Sequence, residues 1–122
     1  NREMGLRKFE LNEEEWEIAQ QLRDVLKVFS DATLYFSRDS ANIAMVIPAM
    51  DEIDRRLATD SLNKVYKPCI RMACEMAKRT INRYYSKTDR SHIYRIAMVL
   101  HPSYKLQYFQ QAKWEPEWIE DA

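Results

Sequence analysis

Apolar residues recur at three- and four-residue steps in several segments of this chain, and that period predicts amphipathic helices. The first is the best specified. Asn12 followed three residues later by Glu15 has the form of a capping box, and Leu11 stands where it can staple against Trp16. Ala19, Leu22, Val25, Leu26, Phe29, Ala32, Thr33 and Phe36 then predict one buried stripe. Glu13, Glu14, Glu17, Gln20 and Arg23 fall outside it, and the helix is expected to end between Phe36 and Asp39.

A loop over 37–42 leads to a second stripe of Ile43, Val46, Ile47, Met50, Ile53 and Leu57, with Asp51/Arg55 and Glu52/Arg56 as ion pairs four residues apart. Pro48 interrupts this stripe. Either the helix is kinked there or it begins at Pro48, because proline is tolerated without loss of a hydrogen bond only in a first turn.

Pro68 can open the third and longest helix, in which Ile70, Ala73, Cys74, Ala77, Ile81, Tyr84 and Tyr85 share a predicted buried face while the other face is basic. A fourth helix is expected from Ser91, with Ile93, Ile96, Ala97 and Leu100 at helical spacing. It should stop before Pro102, which biases His101 out of the α region. After the turn, Tyr104, Lys105, Leu106, Tyr108 and Phe109 can begin a short helix whose aromatic side chains fold back over the preceding one. Near the end, Trp114 and Trp118 lie four apart around Pro116 and are read as a partner surface.

These patterns predict an all-α, multi-helix bundle forming a single domain over 1–122. Composition supports helices over sheet. Gly5 is the one glycine in 122 residues, and primed hairpin turns, phosphate-cradling loops, dinucleotide fingerprints and the nucleophile elbow all need glycine where backbone turns tightly or approaches a ligand. The nineteen Lys and Arg balance the nineteen Asp and Glu, so no global field draws the chain to DNA or to a membrane, and any nucleic-acid contact must be local. No apolar run approaches the roughly 20 residues of a membrane span. A soluble intracellular protein is expected, and the chain, opening on Asn1 and closing soon after an apparent helix start, is expected to be a piece of a longer one.

Candidate chemistry is sparse. Cys69, Cys74, His92 and His101 have the numbers of a Cys2His2 zinc site, but thiols five apart and histidines nine apart lack its short paired spacings, so they are read as reduced core thiols and ordinary histidines. Asp51, Glu52 and Asp54 point in successive directions around a helix and are followed by Arg55 and Arg56, which reads as a solvated, ion-paired face. The candidate nucleic-acid contacts are Lys78, Arg79, Arg83, Lys87 and Arg90. Arg79, Arg83 and Lys87 recur every four residues as a positive ridge, with Asn82 and Tyr85 beside it for hydrogen bonds or stacking. A solvated helix face with favourable cations toward its C-terminus accounts for the same residues. Most of the aromatic residues fall at core spacing and are read as packing groups.

The stretch Leu100, His101, Pro102, Ser103, Tyr104, Lys105, Leu106 resembles an element of the central region of hAT (hobo/Activator type) DNA transposases, with His101 and Ser103 where aspartate and arginine are commonest. The segments 11–36, 47–57 and 81–89 are similar to helices of the same region, most closely in fungal members, and occur in the family's order. The resemblance covers nearly the whole chain. It implies the helical insertion of an RNase H-like transposase, a part that supports DNA-end binding and assembly with other transposase domains, with a homo-oligomer possible, in the nucleus. It also implies that the carboxylate triad and its divalent metal (Mg or Mn) lie outside this segment, which then has no catalytic residue and no cofactor of its own. The alternative is a domesticated, transposase-derived DNA-binding or protein-interaction adaptor without catalysis.

Overall fold

The computed structural model describes residues 5–40, 42–104, 108 and 111. Among them there are helices and turns and no strand. A short 3-10 turn at Leu6–Phe9 follows Gly5, whose φ of 70° is a backbone conformation that a side chain would strain. The four helices are α1 (Glu13–Phe36), α2 (Val46–Leu62), α3 (Pro68–Thr88) and α4 (Ile93–Leu100), with a second 3-10 turn at Ile43–Met45 leading into α2. No helix among the described residues is long and apolar enough to cross a membrane.

The helix ends follow local chemistry. At α1 the expected capping box forms: the Glu15 N–H donates to Asn12 Oδ1 at 2.9 Å and the Asn12 N–H donates to Glu15 Oε2 at 2.8 Å. Leu11 and Trp16 nevertheless remain exposed. Pro48 neither kinks α2 nor starts it; it is the third residue of a helix that begins at Val46, where its missing N–H has no intrahelical acceptor to lose. Pro68 opens α3 as expected. Ahead of Pro102, His101 is extended (φ −77°, ψ 128°) and α4 ends at Leu100. His101 Nδ1 then accepts the Ser103 N–H at 3.2 Å, the bond an aspartate carboxylate makes in an Asx turn.

α2 and α3, joined by the short turn 63–67, pack antiparallel as a helical hairpin, and α1 lies against both. Their shared core is Val25 and Val28 from α1, Ile53 and Leu57 from α2, and Ile70 and Cys74 from α3. A second, smaller core joins Ala44 and Ile47 to Met98 of α4, flanked by Tyr85, Tyr94, Ala97, Val99, Tyr104 and Tyr108. Tyr104 and Tyr108 thus fold back over the preceding elements as the sequence pattern suggests, while Lys105, Leu106 and Phe109 lie outside the described residues.

The buried face of α1 shares Val25, Phe29 and Ala32 with the one the apolar spacing predicts but is turned to one side of it. Ile18, Gln21, Val25, Val28 and Ala32 face the core, whereas Leu22, Leu26, Thr33 and Phe36 are exposed. The helix is rotated because Gln21 is used as a polar clamp. Its Oε1 accepts the Lys67 N–H at 2.7 Å and its Nε2 donates to the Val65 carbonyl at 3.4 Å, satisfying the turn between α2 and α3. Lys67 Nζ closes the same junction on Glu17 at 3.2 Å and Glu14 at 3.5 Å. Smaller rotations recur elsewhere: Ala73 and Tyr84 of α3 are exposed, and in α4 the buried residue is Met98, not Ile93, Ile96 or Leu100.

Candidate nucleic-acid interface

α3 builds the candidate surface by turning its apolar side inward. Ile70 and Cys74 are buried, Ala77 and Ile81 pack on the first core, and Tyr85 packs on the second. At about 100° per residue, that places Arg79, Arg83 and Lys87 on the solvent side of the helix, where all three are exposed. Lys78 is half-buried at the edge of the packed face, and Arg90 is exposed just past the helix end. The loop carrying Arg90 is held by Arg95 of α4, whose guanidinium donates to the Asp89 carbonyl at 3.0 Å. All five expected contact residues therefore fall on one helix and its exit.

What marks these five cations is that they lie together, unpaired, along one helix and its exit; Arg7, Lys8, Arg38, Arg56, Lys64 and Arg71 are also in no ion pair among the described residues. Arg23 is paired with Asp24, Lys27 with Asp31, Arg55 with Glu52 and Lys67 with Glu14 and Glu17. Among the described residues, none of Lys78, Arg79, Arg83, Lys87 and Arg90 is in an ion pair. Arg83 and Lys87 instead lie over the exposed ring of Tyr84, with the guanidinium carbon 5.6 Å and Nζ 5.3 Å from its centroid. Asn82 is exposed beside them. The aromatic partner of the ridge is thus Tyr84, not Tyr85; adjacent helical residues point about 100° apart, and Tyr85 is engaged by α2.

That engagement corrects the reading of the acidic cluster. Glu52 is solvated, but it pairs with Arg55 three residues on, at 2.6 Å, where the sequence suggested Asp51. Asp51 turns toward the protein, and its carboxylate accepts hydrogen bonds from the hydroxyls of Tyr108 and Tyr85. Burial raises the Asp51 carboxyl above its ordinary range, the two hydroxyls oppose this, and the nearby charges of Asp54 and Asp89 add to the rise. Burial foremost, with Asp51 next to it, likewise pushes the hydroxyls of Tyr85 and Tyr108 up.

The sign of the pH effect follows. A folded-state pKa above the unfolded one means that the folded chain binds the extra proton. The stability this contributes is complete below the unfolded carboxylate value, about 3.9, and is lost as pH rises through the raised folded value. Asp51→Asn keeps an oxygen for the tyrosines and carries no charge, so it should remove this part of the pH dependence. Urea midpoints of both proteins between about pH 3 and 8 check it; superimposable profiles would mean that Asp51 titrates as an ordinary surface carboxylate.

Cys74 is buried and its thiol is pushed up, chiefly by that burial. Cys69 is exposed, not a core thiol, because it directly follows Pro68 on the outer side of the first turn of α3. Among the described residues no three His, Cys, Asp or Glu side chains are grouped to hold a metal ion. Trp114 and Trp118, read from the sequence as a partner surface, lie outside the described residues.

The chain is similar to a protein of the fungus Talaromyces stipitatus named "Putative transcriptional regulator tpeD", with 28% identity over 118 residues. The match takes in 95% of this chain but 12% of that protein, so the chain spans about an eighth of the length of the relative it resembles. No family model matches the chain, and no solved structure does.

Proposed function

We propose that this chain is a non-catalytic helical segment of a hAT-type DNA transposase, which holds DNA through the solvent side of α3 and helps to assemble an RNase H-like catalytic core lying elsewhere in a longer protein. The observation that carries the DNA-holding role is the run of cations from Lys78 to Arg90, none paired with an acid among the described residues, in a chain whose other cations include several that are paired. Unpaired cations along one helix suit a line of phosphates, which fixes position and carries no sequence information. The transposase assignment itself rests on the resemblance of the segments 11–36, 47–57, 81–89 and 100–106. In this reading the longer protein acts in the nucleus and uses divalent metal, Mg or Mn, held by carboxylates outside this segment.

A second reading is a domesticated relative that keeps DNA or protein binding and has lost catalysis. The similarity to a protein named as a transcriptional regulator favours it. The two readings share the α3 surface and differ in whether the flanking sequence carries a carboxylate triad in an RNase H-like setting. The shared part is tested by equilibrium binding of the full chain to two duplexes of unrelated sequence over a salt series. Affinity should be alike for both, and log K should fall with log salt by about 0.9 for each phosphate contacted. No binding at low salt, or binding without salt dependence, rejects it. Metal-dependent cleavage of DNA by this chain, abolished by changing one of its own acids, would overturn the non-catalytic assignment.

A further inference from the structure

Tyr84 is the one ring among the described residues with two cations over it. It is about half exposed, next to Arg83 in sequence and one turn before Lys87. The ring contacts the structure gives it are these two cations on its own helix.

Arg83 and Lys87 have long side chains that sample many rotamers when free, and binding a phosphate would require each to be fixed. A cation over an aromatic face is held there by the ring quadrupole. A guanidinium that stacks by its face on a ring keeps its in-plane N–H donors open, and a lysine ammonium keeps donors on the side away from the ring. The ring therefore restrains both cations without neutralising either, whereas an acid would do both. We propose that Tyr84 is a positioning residue of the α3 surface: it holds Arg83 and Lys87 in place as a fixed pair for the phosphates of a nucleic-acid backbone. This rests on the reading of α3 as the DNA-facing helix and adds to it a residue that bears no charge.

The test compares Tyr84→Leu and Tyr84→Phe in the full chain, using the same duplex and a single-stranded oligonucleotide of the same sequence. Tyr84→Leu should weaken binding to both about two- to five-fold, the fold-change of one exposed cation–π contact, with the salt slope unchanged because no phosphate contact is deleted. Tyr84→Phe should restore the affinity, since the ring and not the hydroxyl faces the cations. Circular dichroism should be the same for all three proteins, the side chain being exposed. Wild-type affinity in Tyr84→Leu overturns the inference, as does a loss confined to the single strand, which would make Tyr84 a stacking platform for bases. If charge-removing changes at Arg83 and Lys87 weaken binding and Tyr84→Leu does not, only this inference falls. If neither change has an effect, the DNA-facing reading of α3 falls with it.

Discussion

Leu57→Ala is expected to lower the unfolding free energy by roughly 2–5 kcal/mol, the range for deleting a fully buried leucine side chain. Leu57 is wholly inaccessible to solvent and sits where α2 meets α1 and α3, in the cluster with Val25, Val28, Ile53, Ile70 and Cys74. Truncation removes transfer energy and leaves a cavity that three helices cannot easily close. Domains of this size are commonly stable by about 5–15 kcal/mol, so the loss is a large share of the total. Urea denaturation followed by far-UV circular dichroism measures it. Leu62→Ala, five residues on in the same helix but 78% exposed, serves as the control and should change stability by no more than about 0.5 kcal/mol. Equal losses at the two positions would contradict the packing described here.

The second large effect concerns binding. Replacing Arg79, Arg83 and Lys87 together by alanine removes three unpaired cations from one side of α3. If each meets a phosphate, the magnitude of the salt slope should fall by about 0.9 for each one lost, and affinity near 0.15 M salt should drop on the order of 100-fold. The loss should be equal for unrelated duplexes, because phosphates carry no sequence. Alanine is the best helix former and all three residues are exposed, so the fold should survive the change. Fluorescence anisotropy across a salt series checks both quantities, and an unaltered slope would show that these cations face only water.

Much of the backbone was legible in the sequence because its signals are local. The Asn12–Glu15 capping box, Pro68 at the start of α3 and the stop before Pro102 each depend on residues within one turn, and each forms as expected. The faces of the helices were less legible. Apolar residues of α1 cover a wide arc whose centre, at about 100° per residue, falls between Phe29 and Leu22; the buried side is turned toward Gln21, whose amide serves a turn more than 40 residues away. A polar residue on a buried stripe is invisible to a count of apolar spacing. The same limit put Tyr84 inside and Asp51 outside. The two are exchanged because Tyr85 and Tyr108 supply hydroxyls to Asp51 from elements distant in sequence, while Tyr84 finds its partners on its own helix. The five candidate cations were legible from their spacing; their lack of acidic partners was not, since it depends on which acids each neighbouring helix turns toward them.

The claim on which the rest depends is that the unpaired side of α3 faces nucleic acid. Amide chemical-shift mapping of the full chain during titration with a short duplex at low salt tests it most directly. Shifts should concentrate in residues 78–90, with the acidic first turn of α1, Glu13 to Glu15, undisturbed. Shifts confined to α1, or none at any DNA concentration, would contradict it.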